Sequence, residues 1–224
     1  YLRMPAAGAG GGFTPQDQAS LASTPGVASI GFLRTSMLQL SSDRPPLALI
    51  ARPEGGLGGG APPMIGATLR APPGLIPVLV SEPASWIYGW RPGDRIELPV
   101  GEPGSVDQPR FFVTGVWRDY ARQHGAITMD GADYTRLTGD AARGEASVTL
   151  KPGVSSKAAA RSLLARLEPQ TARLVEVAEP RAIKAMALRL FDRSFAVTYG
   201  LEAIAVLVGL AGVAATISAQ TLAR

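Results

Sequence analysis

The sequence has no cysteine, one histidine and only three lysines in 224 residues. Without a thiol there is no disulfide, thiolate metal site or cysteine nucleophile, although an exported domain can manage without disulfides, so the compartment stays open. A lone His124 would have to recruit carboxylates alone to hold a metal, and is read instead as a loop or hydrogen-bonded histidine. The scarcity of lysine leaves 19 arginines, scattered among 18 acidic residues without any basic run. The net charge of +4 therefore marks a solvated mixed surface and not a nucleic-acid interface. Charge is missing altogether from residues 203–223.

That last absence is the strongest signal in the chain. Twenty-one uncharged residues in a helix span about 31 Å at 1.5 Å per residue, the thickness of a hydrocarbon core. A buried core helix of that length would normally keep one charged face. Within the segment Ala205, Gly209, Gly212, Thr216 and Ala219 recur every three or four residues, a stripe along which another helix can approach closely. Three residues earlier the stripe meets Glu202, so this carboxylate lies on the packing side near the water interface, where its desolvation is smallest. These six residues are the expected helix-packing positions.

Ahead of the span, Ile183, Met186, Ala187, Leu190 and Phe191 follow the i, i+3, i+4, i+7, i+8 pattern of an amphipathic helix, and Pro180 suits its first position. No Gly or Pro interrupts residues 181–199. One stalk helix running into the membrane span is expected, so that movement of one is felt by the other. The chain begins at Tyr1 without Met and stops at Arg224 directly after the apolar helix, which gives both ends the look of cuts. Four basic residues precede the span and only Arg224 lies beyond it, so charge does not fix the orientation.

The remaining residues read as short mixed elements. Thr14-Pro15 caps a short helix ending near Ser23, and residues 27–40 read as strand. Residues 45–83 hold nine Pro and seven Gly, which forbids continuous helix and limits sheet to short pieces. Strands are expected at 77–81, 95–100, 111–117, 125–129, 146–150 and 172–177, and helices at 82–90, from the Asp130 cap through Leu137, and at 155–167. The pattern is that of an α+β domain over residues 1–180, with a second, strand-rich lobe over about 72–137 and the stalk and membrane helix over 181–224.

Catalytic constellations are missing. Ser81 is followed by Glu82-Pro83 and not by the surroundings of a nucleophile elbow. Asp130 and Asp133 flank Gly131, but the positions a calcium loop would need next are Tyr, Arg and Thr. The Gly run at 55–60 opens into Ala-Pro-Pro without a Gly-Lys-Ser/Thr, and reads as a flexible loop. Asp94, Glu97 and Asp119 are candidates for an acid and base pair that no spacing demands. No catalytic, metal or cofactor residue is assigned, and an enzyme is not expected.

Two stretches carry a family resemblance. Leu190-Phe191-Asp192-Arg193-Ser194-Phe195, with the small-residue span and Thr221-Leu222-Ala223-Arg224, resembles the start of the membrane domain of FtsX-like, MacB-type ABC transporter permeases. Residues 78–84 (Val-Leu-Val-Ser-Glu-Pro-Ala) and 89–98 (Gly-Trp-Arg-Pro-Gly-Asp-Arg-Ile-Glu-Leu) resemble the strand, helix and Gly-Asp turn of that family's extracytoplasmic domain. The Gly-rich start and the Pro/Gly-rich middle resemble nothing in it. The resemblance implies a two-lobed outer domain between two membrane helices of a bacterial inner-membrane permease, with residues 1–192 on the periplasmic or extracellular side. It implies a homo- or heterodimer in membrane lipid and a separate cytoplasmic ABC ATPase, since this chain has no ATP-binding motif. Lipid, lipoprotein, peptide or drug cargo would be handled through the outer domain, and no nucleic acid or cofactor is implied. The alternatives are a single-pass anchored periplasmic binding domain and a membrane-tethered hydrolase.

Overall fold

The computed structural model describes residues 1–4, 11–53, 62–101, 109–178 and 180–222. In the last helix, side chains are described at 195 and 198–221. The Gly run at 55–60 lies outside the described residues. The chain divides into two units, Tyr1–Val177 and Ala178–Arg224.

The first unit opens with β1 (Leu2–Arg3) and α1 (Pro15–Ala22). Thr14 caps α1 reciprocally: its Oγ1 accepts from the Asp17 N–H at 3.2 Å, and Asp17 Oδ2 accepts from the Thr14 N–H at 2.9 Å. Pro15 occupies the first turn, where no N–H is needed. The chain then runs through β2 (Val27–Leu38), β3 (Leu47–Arg52), β4 (Met64–Ile65), β5 (Ile76–Ser81), α2 (Glu82–Tyr88) and β6 (Arg95–Glu97). It continues with β7 (Arg110–Trp117), β8 (Ala126–Asp130), α3 (Gly131–Thr138), β9 (Glu145–Leu150), α4 (Ser156–Leu164), α5 (Pro169–Leu174) and β10 (Glu176–Val177).

The ten strands among the described residues join one mixed sheet in the order β10-β1-β9-β2-β3-β8-β5-β7-β4, with β6 on β7. The pairs β3/β8 and β5/β7 are parallel and the rest antiparallel. The sheet is bound to two main cores. The larger one gathers Leu47, Leu49, Val78, Val80, Phe111, Val113 and Ile127 around the central strands. The smaller one gathers Leu2, Phe13, Leu21, Ala146, Leu163 and Leu167 around β1, β9, α1 and α4. β3 is buried on both faces: Leu47, Leu49 and Ala51 serve the larger core, while Ala48 and Ile50 pack with Trp117 and Ala126 on the opposite side. That explains its unbroken apolar run in a segment otherwise full of Pro and Gly.

The α+β class is as expected, and most elements fall where the pattern puts them. One does not. Residues 172–177 are not a strand: α5 occupies Pro169–Leu174, and only Glu176–Val177 pair, with β1. Pro169 at the first helical position and the Ala172 N–H donating to the Glu168 carbonyl at 2.8 Å start a helix whose Ala, Arg and Leu all favour it. The helix at 155–167 is also shorter, ending at Leu164, although Leu167 remains buried. β6 stops at Glu97, three residues earlier than expected.

The second unit is a single helix, α6 (Pro180–Leu222), 43 residues long and therefore roughly 65 Å from end to end. Its part Thr198–Thr221 has a mean hydropathy of 2.0 and is long and apolar enough to cross a membrane.

Candidate functional site

Two places in the molecule have features of a working part. The first is α6. The backbone continues as helix through residues 181–199 and into the apolar part without a break, the geometry needed to carry a displacement along the axis. The stalk residues Ile183, Met186, Ala187, Leu190 and Phe191 have side chains outside the described residues. In the apolar part Glu202, Ala205, Gly209, Gly212, Thr216 and Ala219 are exposed in the single chain. A Cβ added at Gly209 or Gly212 would meet nothing within 4 Å. Among the described residues nothing requires a glycine at either position, yet each weakens the helix by about 0.5–1 kcal/mol relative to Ala. The hydroxyls of Thr216, Ser218 and Thr221 donate to the carbonyls of Gly212, Ala214 and Ile217 at 2.6–2.8 Å, which satisfies them where no water is present.

The second is the joint between the two main cores. At the middle of β2 the pairing partner changes from β9 to β3, between Leu33 and Arg34. Arg34 Nη2 meets Asp140 Oδ2 at 3.0 Å, with both side chains largely covered, and Arg34 also donates to the Gly11 carbonyl. Arg143 is 8% exposed and fans out over the same corner. It donates to the carbonyls of Asp140, Ala142 and Gly131 and to Thr135 Oγ1 at 2.7–3.1 Å. Its guanidinium also lies 6.0 Å from the Tyr134 ring centre. Burial pulls the Arg143 pKa below the usual arginine range, but these acceptors and the neighbouring Asp140 keep it a cation. Its backbone exchanges two hydrogen bonds with Phe13, the fully buried aromatic of the smaller core. Arg143 thus ties α3, under the larger core, to the segment entering the smaller one. Nothing in its sequence surroundings distinguishes it from the other 18 arginines.

The acidic candidates do not converge. Asp94 Oδ2 accepts from the Arg91 N–H at 2.7 Å and closes the turn into β6. Glu97 pairs in register with Arg110 at the start of β7. Asp119 lies beyond the other end of β7, where its Oδ1 accepts from the N–H groups of Ala121 and Arg122 and its Oδ2 binds the Arg122 guanidinium. The eight residues of β7 separate Glu97 from Asp119 by roughly 25 Å. Ser81 is fully buried and its Oγ accepts from the N–H groups of Ala84 and Ala126 at 3.3 and 2.8 Å; it is a helix cap and a cross-strand tie. Asp130 caps α3 through the Ala132 N–H, and Asp133 pairs with Arg136 at 2.7 Å. His124 is exposed in the turn before β8.

A cavity of about 840 Å³ lies among Ile76, Pro77, Glu97, Arg110, Asp133 and Arg136. Its charges alternate in sign and prescribe no single ligand. Two aromatics that carry no pattern in the sequence, Trp86 on α2 and Tyr120 after β7, are 83% and 84% exposed. Arg118 pairs with Glu82 at 3.4 Å, and its hydrogen bond with Tyr120 and the charge of Glu82 raise its pKa.

Neither a family model nor a characterised protein matches the chain by sequence. Solved structures do match it. The periplasmic region of MacB from Actinobacillus actinomycetemcomitans superposes with a TM-score of 0.59 at 16% identity, over 83% of this chain and 91% of that one. The extracellular domain of the noncanonic ABC-type transporter YknZ from Gram-positive bacteria superposes with a TM-score of 0.56 at 14% identity, over 80% and 98%. The chain has the fold of these outer transporter domains, as the sequence motifs imply.

Proposed function

We propose that this chain is the outer domain and adjoining membrane helix of an ABC transporter permease subunit in the bacterial inner membrane. In this reading the first unit lies on the periplasmic or extracellular side. A dimer of such subunits works with a separate cytoplasmic ATPase. Dimer closure driven by ATP shifts the membrane helices, α6 carries the shift outward as a rigid rod, and the outer domain acts on lipid, lipoprotein, peptide or drug cargo. The stripe from Glu202 to Ala219 is the face on which α6 packs against a neighbouring membrane helix, and residues 183–191 form the stalk.

The observation that carries this reading is a MacB-type fold followed, two residues after its last strand, by one uninterrupted helix with a membrane-length apolar part. A rigid rod is what mechanical coupling needs, whereas an anchor would tolerate a flexible linker. The test uses the complete permease with the ATPase that co-purifies with it from native membranes. Leu188→Pro removes a hydrogen bond within the stalk part of the rod and costs the helix about 3 kcal/mol. ATP hydrolysis should persist, while ATP-driven distance changes between spin labels on the outer domains, and transport, should be lost. Intact transport in that variant would sink the coupling mechanism, and absence of any ATPase partner would leave an anchored binding domain.

A further inference from the structure

Two aromatic rings at the end of α2 are built into a wall. Gly89, with a φ of 75°, turns the chain back on the helix, and the Trp90 ring stacks on Tyr88 with centroids 4.6 Å apart and planes 15° from parallel. Hydrogen bonds fix the wall in place. Tyr88 donates its hydroxyl to the Pro45 carbonyl at 3.0 Å, and the Ser85 hydroxyl donates to the Trp90 carbonyl at 2.6 Å. Arg44 donates to the Ile87 carbonyl at 2.9 Å, and its guanidinium carbon lies 5.2 Å from the centre of the Tyr88 ring.

Both rings line a cavity of about 590 Å³, within the roughly 300–1,000 Å³ of small-molecule sites. Leu40 and the buried Leu98 extend its apolar surface, and Gln39, Asp43, Arg44 and Glu97 supply exposed polar groups around it. Residues 102–108, which lie outside the described residues, are flanked by Gly101, beside the Leu137 carbonyl, and by Pro109. Leu137 and Pro109 line the cavity of 840 Å³ and not this one.

The polar groups select the ligand. A simple cation finds the Tyr88 ring already taken by Arg44, and a simple anion meets the carboxylates of Asp43 and Glu97. An apolar ligand would strip water from those carboxylates and return no hydrogen bond. The capacity left over is mixed. Among the described residues the Glu97 carboxylate has no hydrogen-bond or ion-pair partner, and Asp43 receives a side-chain hydrogen bond from Ser41 at one oxygen. Gln39 spends its Nε2 on the carbonyls of Ser41 and Arg44, which leaves its Oε1 to accept. Acceptors and donors set around a flat apolar wall suit a molecule with hydroxyls at its edge and only C–H groups on its faces. We propose that this cavity binds a saccharide, with one sugar ring against Trp90 and its hydroxyls held by Asp43, Glu97 and Gln39. The larger cavity also carries charges of both signs, but no aromatic ring lines it. The saccharide site lies wholly within the first unit and needs neither α6 nor an ATPase.

The full chain is tested in phosphatidylcholine nanodiscs, since detergents with sugar headgroups would compete for the site. Saturation-transfer NMR then reads which ligand protons touch the protein. The probes are maltotriose and the trimer of N-acetylglucosamine, with choline, acetate and adenosine as the competing chemistries. At least one saccharide should show transfer to its ring C–H protons, half-saturating at about 1 mM. Asp43→Ala combined with Glu97→Ala, both at exposed positions, should weaken that binding roughly tenfold. Trp90→Ala should abolish it and Trp90→Phe, which keeps a ring, should restore most of it. Trp86→Ala, on α2 but outside the cavity, should leave it unchanged. The exposed double variant decides the matter even where Trp90→Ala destabilises the domain. No transfer from either saccharide at about 20 mM, or equal affinity in the double variant, would overturn the site. Tighter binding of choline, acetate or adenosine than of both saccharides would overturn the ligand class.

Discussion

Replacing Ser81 with Ala tests how the strand-rich part of the outer domain is held together. The hydroxyl is fully buried and accepts two backbone N–H groups, from Ala84 in the first turn of α2 and from Ala126 at the start of β8. Losing the cap costs about 1 kcal/mol. Leaving the N–H of Ala126 buried without an acceptor costs a further 1–3 kcal/mol or so. The change removes one oxygen and leaves no cavity of consequence, so the total is about 2–4 kcal/mol. For a unit of this size that lowers the melting temperature by roughly 5–15 °C. Thr14→Ala is the comparison, a cap on α1 whose hydrogen bonds are exposed, worth about 1 kcal/mol. Thermal unfolding followed by far-ultraviolet circular dichroism reads both. A shift for Ser81→Ala no larger than that for Thr14→Ala would refute the second, cross-strand bond as a source of stability.

Arg143→Lys keeps the charge but replaces a planar fork that reaches four acceptors with a single ammonium. The variant should unfold about 2–3 kcal/mol more easily in urea, and Lys should rescue little of the loss seen with Ala. In α6, Gly209→Leu should leave helix content unchanged by circular dichroism and slightly favour the helix. In a membrane helix-association reporter it should weaken association by about 1 kcal/mol or more, because the side chain fills the groove a partner helix would use. Unchanged association would rule the stripe out as a packing face.

Reading along the chain recovers what local chemistry dictates. Thr14-Pro15 at the start of α1, the Asp130 cap of α3 and the Asp94 turn are all written within a few residues; Gly89, in the left-handed region, ends α2 two residues before the helix expected through Trp90. The absence of charge over residues 203–223 and of breakers over 181–199 likewise sets α6. Reading fails where one residue's environment is made by distant ones. β3 is buried because other strands and loops cover both its faces, while its neighbours Pro45 and Pro53 suggest only a loop. α5 reads as a strand because Ala-Arg-Leu-Val alternates over too few residues to separate periods of 2 and 3.6. Trp86 is exposed because α2 turns only Ala84 fully inward.

The sequence by itself determined the length of the membrane helix, its continuity with the stalk, the caps and turns, and the lack of thiol chemistry. Each depends on residues within one or two turns of each other. The tertiary structure decided the order of the ten strands, the change of partner in β2 and the gathering of Arg34, Asp140 and Arg143 at the joint. Those depend on which apolar faces meet. Residues as far apart as Phe13 and Arg143 become neighbours only when both cores close, and no local pattern encodes that meeting.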